Sequence, residues 1–131
     1  MIIEHCSTAH QDARGRIIDL LRDTPVEFTT LITSRAGAVR GNHYHKEATV
    51  YVFVLEGTFD IYSRLMGEDV SDMMATAGVG DLITFPPLDL HALVALEDSV
   101  FILFSHGKRG GDRTVAECLY DPGVLTSNRP N

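Results

Sequence analysis

Short runs of β-branched and aromatic residues recur along the chain, each closed by Gly, Pro or Asp. That rhythm is the signature of strands joined by tight turns. It predicts strands over 16–20, 26–34, 38–46, 49–56, 58–64, 72–77, 82–85, 91–96, 100–105 and 113–119. Turns fall at Asp23-Thr24-Pro25, Glu56-Gly57, Met66 to Asp69, Gly78 to Asp81, Pro86 to Asp89, Glu97-Asp98 and Gly107 to Asp112. Only residues 12–22 compete as a helix, and the β-branched pair Ile17-Ile18 weakens that reading. Ten short strands in 131 residues imply an all-β antiparallel sandwich or barrel, with one domain over residues 1–131.

The strand over 49–56 adds a condition. Val50, Val52 and Val54 share one face, and Tyr51, Phe53 and Leu55 share the other, so both faces are apolar. A strand with one face in water would alternate with polar residues. The second face must be covered by the chain's own terminal strands or by a second subunit, and a homodimer is the expectation.

Charge narrows the partners. Eighteen acidic residues against eleven Lys plus Arg give a net charge of −7, which disfavours a nucleic-acid partner. The longest clearly apolar run, Val50 to Leu55, is far short of the ~20 residues of a membrane-spanning helix. Residues 1–10 carry Glu4 and two histidines and no basic stretch, unlike a signal peptide. A cytoplasmic protein with no membrane partner is expected. Cys6 and Cys118 are then expected as reduced thiols, although pairing of terminal strands could bring them together.

Six histidines are present: His5, His10, His43, His45, His91 and His106. His43 and His45 lie two apart on a predicted strand, so both imidazoles project from one face and can converge on a single ion. Their surroundings are patterned. Gly37 precedes His43 by six, Gly57 follows His45 by twelve, Pro86 follows Gly80 by six, and His91 follows Pro86 by five. These positions match the two motifs of the cupin superfamily over residues 37–95, and the chain resembles a small single-domain cupin. That resemblance implies a jelly-roll β-barrel (double-stranded β-helix) and carries His43, His45 and His91 over as metal ligands.

Three positions depart from the cupin pattern. Val50 stands at the acidic-ligand position, Leu88 at the second-motif Gly and Ala95 at the closing Asn. Three neutral imidazoles leave a divalent ion its full +2 charge, which favours an anionic ligand or bound hydroxide. Glu47 shares parity with His45 and could replace the missing acid, but its place in a turn favours a solvated role. Softness does not choose the ion, because imidazole suits several metals. A divalent transition metal is expected, whether zinc, iron, nickel or manganese. Without metal, the three histidines would be polar pocket residues.

The stretch Arg40-Gly41-Asn42-His43-Tyr44-His45-Lys46 is also similar to cupin-like sugar-nucleotide enzymes. The 3,5-epimerases carry Arg-Gly-x-His-Tyr and the ketoisomerases His-x-His-Lys. That resemblance implies His43 as catalytic base and His45 as its partner acid or base. It also implies Arg40 and Lys46 as substrate-binding residues, Arg40 at the anionic nucleotide. Strand parity turns Arg40 away from His43 unless the strand is irregular or Arg40 reaches a partner subunit. A basic loop, with His106, Lys108, Arg109 and Arg113 around Gly107 and Gly110-Gly111, reads as a solvated turn that could bind phosphate.

The expected function is a metal-binding cupin acting on a small polar or anionic metabolite, as an isomerase or epimerase of a carbohydrate derivative. Two alternatives stand beside it: a three-His iron-dependent dioxygenase and a non-catalytic small-molecule-binding cupin.

Overall fold

The computed structural model describes residues 1–65 and 72–107, and the backbone of residues 118–120. The expected turn at Met66 to Asp69, most of the strand over 113–119, and Lys108, Arg109 and Arg113 of the basic loop lie outside the described residues. Among those described, twelve strands and no helix are found. They are β1 (Ile2–His5), β2 (Thr8–Asp12), β3 (Gly15–Ile18), β4 (Phe28–Ser34), β5 (Val39–His45) and β6 (Thr49–Glu56). Then follow β7 (Thr58–Leu65), β8 (Met73–Gly78), β9 (Asp81–Phe85), β10 (Asp89–Ala95), β11 (Ser99–His106) and β12 (Cys118–Tyr120).

Two five-stranded sheets face each other, in the orders β1-β9-β6-β11-β4 and β12-β5-β10-β7-β8, with β2-β3 as a separate hairpin. Every pairing is antiparallel. Most sheet neighbours are distant in sequence, as in a jelly roll. Two strands escape the sequence reading. β1 carries only two β-branched residues, Ile2 and Ile3, and β2 is fully exposed, so neither shows an alternating apolar pattern. The 12–22 stretch holds the end of β2 and all of β3. Cys6 is a free thiol.

The core forms where the inward faces of both sheets meet. Val50, Val52 and Val54 of β6 pack with Phe59 and Ile61 of β7, Ile83 and Phe85 of β9, Leu93 and Ala95 of β10, and Phe101 of β11. Burying each of the large side chains contributes roughly 1.5–3 kcal/mol. On the outer face of β6, Phe53 is buried within the single chain while Leu55 is exposed, and next to it the strands β4 and β11 meet the 18–26 segment. Ile18, Leu20, Leu21 and Val26 line a groove with Thr29 of β4 and Phe104 of β11, the strand partner of Tyr51. Leu31 on the same outer face stays 64 % exposed.

One irregularity sets up the site. Between β5 and β10 the register runs His43↔His91, then Gly41↔Ala92 and Arg40↔Leu93, so Asn42 is an extra residue in a β-bulge. Gly41 and Asn42 both have left-handed backbones, with φ of 90° and 57°. Glycine at 41 is required twice over, because a Cβ there would lie 2.7 Å from the carbonyl oxygen of His91.

Candidate metal centre

β5 and β10 are neighbours in one sheet, and their pairing brings His43 directly opposite His91. His45, two residues on, shares the face of His43. The ring centroids of His43 lie 4.9 Å from those of both His45 and His91, and His45 and His91 are 6.1 Å apart. One ligating nitrogen from each ring lies within 4.8 Å of the others. His45 and His91 are buried, and His43 is half-buried. No other group of three potential ligands converges among the described residues.

His91 is the most constrained of the three. Its Nδ1 lies 2.8 Å from the carbonyl oxygen of Asp89. That partner can only accept, so Nδ1 carries the proton and Nε2 keeps its lone pair for the cluster. Phe85 stacks on the ring, with centroids 4.1 Å apart and an interplanar angle of 15°. Burial pushes the His91 pKa down to about 4; the hydrogen bond to Asp89 opposes this shift, and nearby His45 and the Met1 ammonium add to it. The ring is therefore neutral at pH 7, as a metal ligand must be.

Beneath His91, Asp89 is buried on the same face of β10. Its carboxylate accepts from the Ser63 hydroxyl and lies 2.6 Å from the Met1 ammonium. The turn before β10 is tied to the site as well, since the Leu88 N–H donates to the His45 carbonyl at 2.7 Å. Leu88, at the position where the cupin motif has Gly, adopts the left-handed backbone that glycine favours, with φ of 69°.

The donor set fits a divalent transition metal. Zinc–imidazole bonds of about 2.0–2.1 Å put tetrahedral nitrogens about 3.4 Å apart. Nitrogens within 4.8 Å reach that spacing by small side-chain rotations. Among the described residues, no carboxylate joins them. Val50 points into the core and Glu47 is exposed.

Arg40 and Lys46 do not join the histidines. The Asn42 bulge reverses the parity expected from sequence, and Arg40 shares the inward face of its partner Leu93. Its guanidinium nevertheless donates to the Thr33 carbonyl at 2.6 Å and the Ser34 hydroxyl at 3.1 Å, fastening β5 to the edge strand β4. Lys46 is exposed just past the end of β5. His106 pairs with Glu27 at 3.0 Å, and His5 with Asp81 at 2.9 Å, both on the surface. Sequence reasoning passed over Phe85, Asp89 and Ser63. Asp89 alone had a usable signal, lying two residues before His91 and so on the same strand face.

The family model described as polysaccharide biosynthesis C-terminal domain matches residues 10–108. No curated protein matches the chain in sequence. Among solved structures, the dTDP-4-dehydrorhamnose 3,5-epimerase from Sulfolobus tokodaii is 25% identical, with a TM-score of 0.64, over 74% of this chain and 65% of that one. A 3,4-ketoisomerase double mutant from Thermoanaerobacterium thermosaccharolyticum, in complex with TDP, is 15% identical with a TM-score of 0.72, covering 92% of this chain and 86% of that one. A 3'-monoepimerase from Streptomyces bikiniensis, in complex with dTDP-quinovose, is 18% identical with a TM-score of 0.71 over 83% and 65%. The chain thus spans 65% of the length of each epimerase.

Proposed function

The chain is a cupin that belongs to the polysaccharide biosynthesis C-terminal domain family, and on that premise we propose that it isomerises or epimerises a nucleotide-linked keto sugar. One observation carries the reading: the convergence of His43, His45 and His91 within 4.8 Å at one end of the barrel. The likeness to sugar-nucleotide epimerases and a ketoisomerase supports the substrate class. His43, His45 and His91 would hold the divalent transition metal. When bound, the ion supplies Lewis acidity that polarises a carbonyl and acidifies the neighbouring C–H.

The chain's own residues do the rest. Burial keeps His91 neutral, the Asp89 carbonyl and the stacked Phe85 orient its ring, and the apolar layer of Val50 and Phe85 keeps water from the reacting carbon. Lys46, exposed next to His45, is the cation we assign to the nucleotide phosphates. In a metal-free form of the same reaction, half-buried His43 would be the base and His45 its partner, since an imidazole suits proton abstraction beside a ketone at neutral pH. A homodimer completes the reading, formed through the outer face that carries Leu31.

The test is solvent deuterium uptake by a dTDP-4-keto-6-deoxy sugar, followed by NMR. Exchange coupled to isomerisation or epimerisation is expected with the wild type and not with His43→Ala. A second reading, an iron-dependent dioxygenase, is favoured by the inward Val50 and exposed Glu47, which leave three imidazoles without an acid among the described residues. Oxygen consumption by iron-loaded protein with thiols or diketones, and no deuterium uptake, would decide for it. Ligand-induced thermal stabilisation without turnover of either kind would mark a binding module.

A further inference from the structure

Among the described residues, the polar end of the barrel interior contains a hydroxyl that the metal centre does not use. Ser105 of β11 is completely buried, and its Oγ has no hydrogen-bond partner among the described residues. Its backbone carbonyl is engaged, accepting from the Glu27 N–H at 2.8 Å. The side chain points inward. Phe101 of the same strand lies in the core, Leu103 packs against it, and alternation returns Ser105 to that face.

Two strand pairings and one ring stack lead from this residue to the histidines. Ser105 pairs with Val50 on β6, Val50 pairs with Phe85 on β9, and Phe85 stacks on His91. One pair deeper, the layer of Leu103, Val52 and Ile83 is wholly apolar. Ser105 therefore sits on the boundary between the dry core and the imidazole cluster. The other inward serine at this end, Ser63, is already spent on Asp89. A buried hydroxyl with no partner among the described residues is less favourable than a methyl group in the same place, so its presence asks for a partner from outside them, which a bound ligand would supply.

We propose that Ser105 is a specificity-determining contact for the sugar ring of the substrate, its hydroxyl bonding a ring hydroxyl or keto oxygen next to the reacting carbon. This rests on the sugar-nucleotide reading above and deepens it. A neutral hydroxyl in the barrel interior suits the uncharged sugar; the nucleotide phosphates need cations, and Lys46 lies outside the barrel.

The experiment compares wild type and Ser105→Ala by calorimetric titration with dTDP-quinovose and with dTDP, and by thermal melting without ligand. The wild type is expected to bind dTDP-quinovose more tightly than dTDP. Ser105→Ala is expected to weaken dTDP-quinovose roughly 3- to 10-fold. Its dTDP affinity should stay within about twofold and its ligand-free melting temperature should be equal or higher, because an unpartnered buried hydroxyl has been removed. A lower melting temperature would make the hydroxyl structural and overturn the proposal. Equal dTDP-quinovose affinity in the two proteins, or equal weakening for both ligands, would overturn it while leaving the functional reading intact. A wild type that binds neither ligand, or does not distinguish them, would overturn both.

Discussion

His91 combines near-complete burial, a fixed tautomer and a stacked ring, and these have a measurable consequence for stability. Its folded pKa of about 4 lies below the ordinary 6.5, so between those values the unfolded chain binds more protons than the folded one. Stability then rises with pH through that window and is lost as pH falls from about 6.5 to about 4. The full loss corresponds to about 3 kcal/mol in metal-stripped protein. Urea unfolding at pH 7, 5.5 and 4.5 should show this slope in the wild type and a flatter one in His91→Gln. Equal slopes would place the His91 proton affinity near its ordinary value. Strand parity made His43 and His45 legible as a pair, and the spacing of the second cupin motif joined His91 to them. The stacking of Phe85 was not legible, because it depends on a cross-sheet approach that local periodicity does not encode.

At the level of strands and turns, glycine positions separate backbone strain from collision. Gly37 and Gly41 have similar φ values, 86° and 90°, but a Cβ at 37 meets nothing within 4 Å, while one at 41 meets the His91 carbonyl. Gly37→Ala should cost roughly 1–2 kcal/mol from backbone strain alone. Gly41→Ala should cost about 2–4 kcal/mol and also displace His91, measured as lower chemical stability together with weakened metal binding. Leu88 offers the opposite sign. It is 41 % exposed and left-handed, so Leu88→Gly should raise stability by up to ~1 kcal/mol in the same unfolding assay. The strand rhythm revealed most of these elements because inward and outward residues alternate along them. β1 and β2 escaped because exposed edge and hairpin strands need no such alternation. The Asn42 bulge escaped because a one-residue register shift is decided by the partner strand. It was also what made the parity argument about Arg40 fail.

For the molecule as a whole, two sheets enclose one core, with the histidine cluster at one end of the barrel interior. The cupin fold was legible because motif glycines, histidines and a proline fall at fixed spacings around the same strands. How the outer face of β6 is finished was not legible, since a residue's need for cover does not name what supplies it. The 18–26 segment lies beside the outer faces of the neighbouring strands β4 and β11, and Leu31 remains open. Light scattering should give a particle of twice 14.4 kDa, shifted toward one copy by Leu31→Glu. A monomeric wild type would leave that face to the chain alone. Whether three imidazoles from two neighbouring strands form one metal site is tested by cobalt(II) titration of tag-free, metal-stripped protein. Saturation at one ion per chain is expected, with ligand-field absorption that disappears in His91→Ala; no saturable binding, or unchanged binding in that variant, would rule the site out.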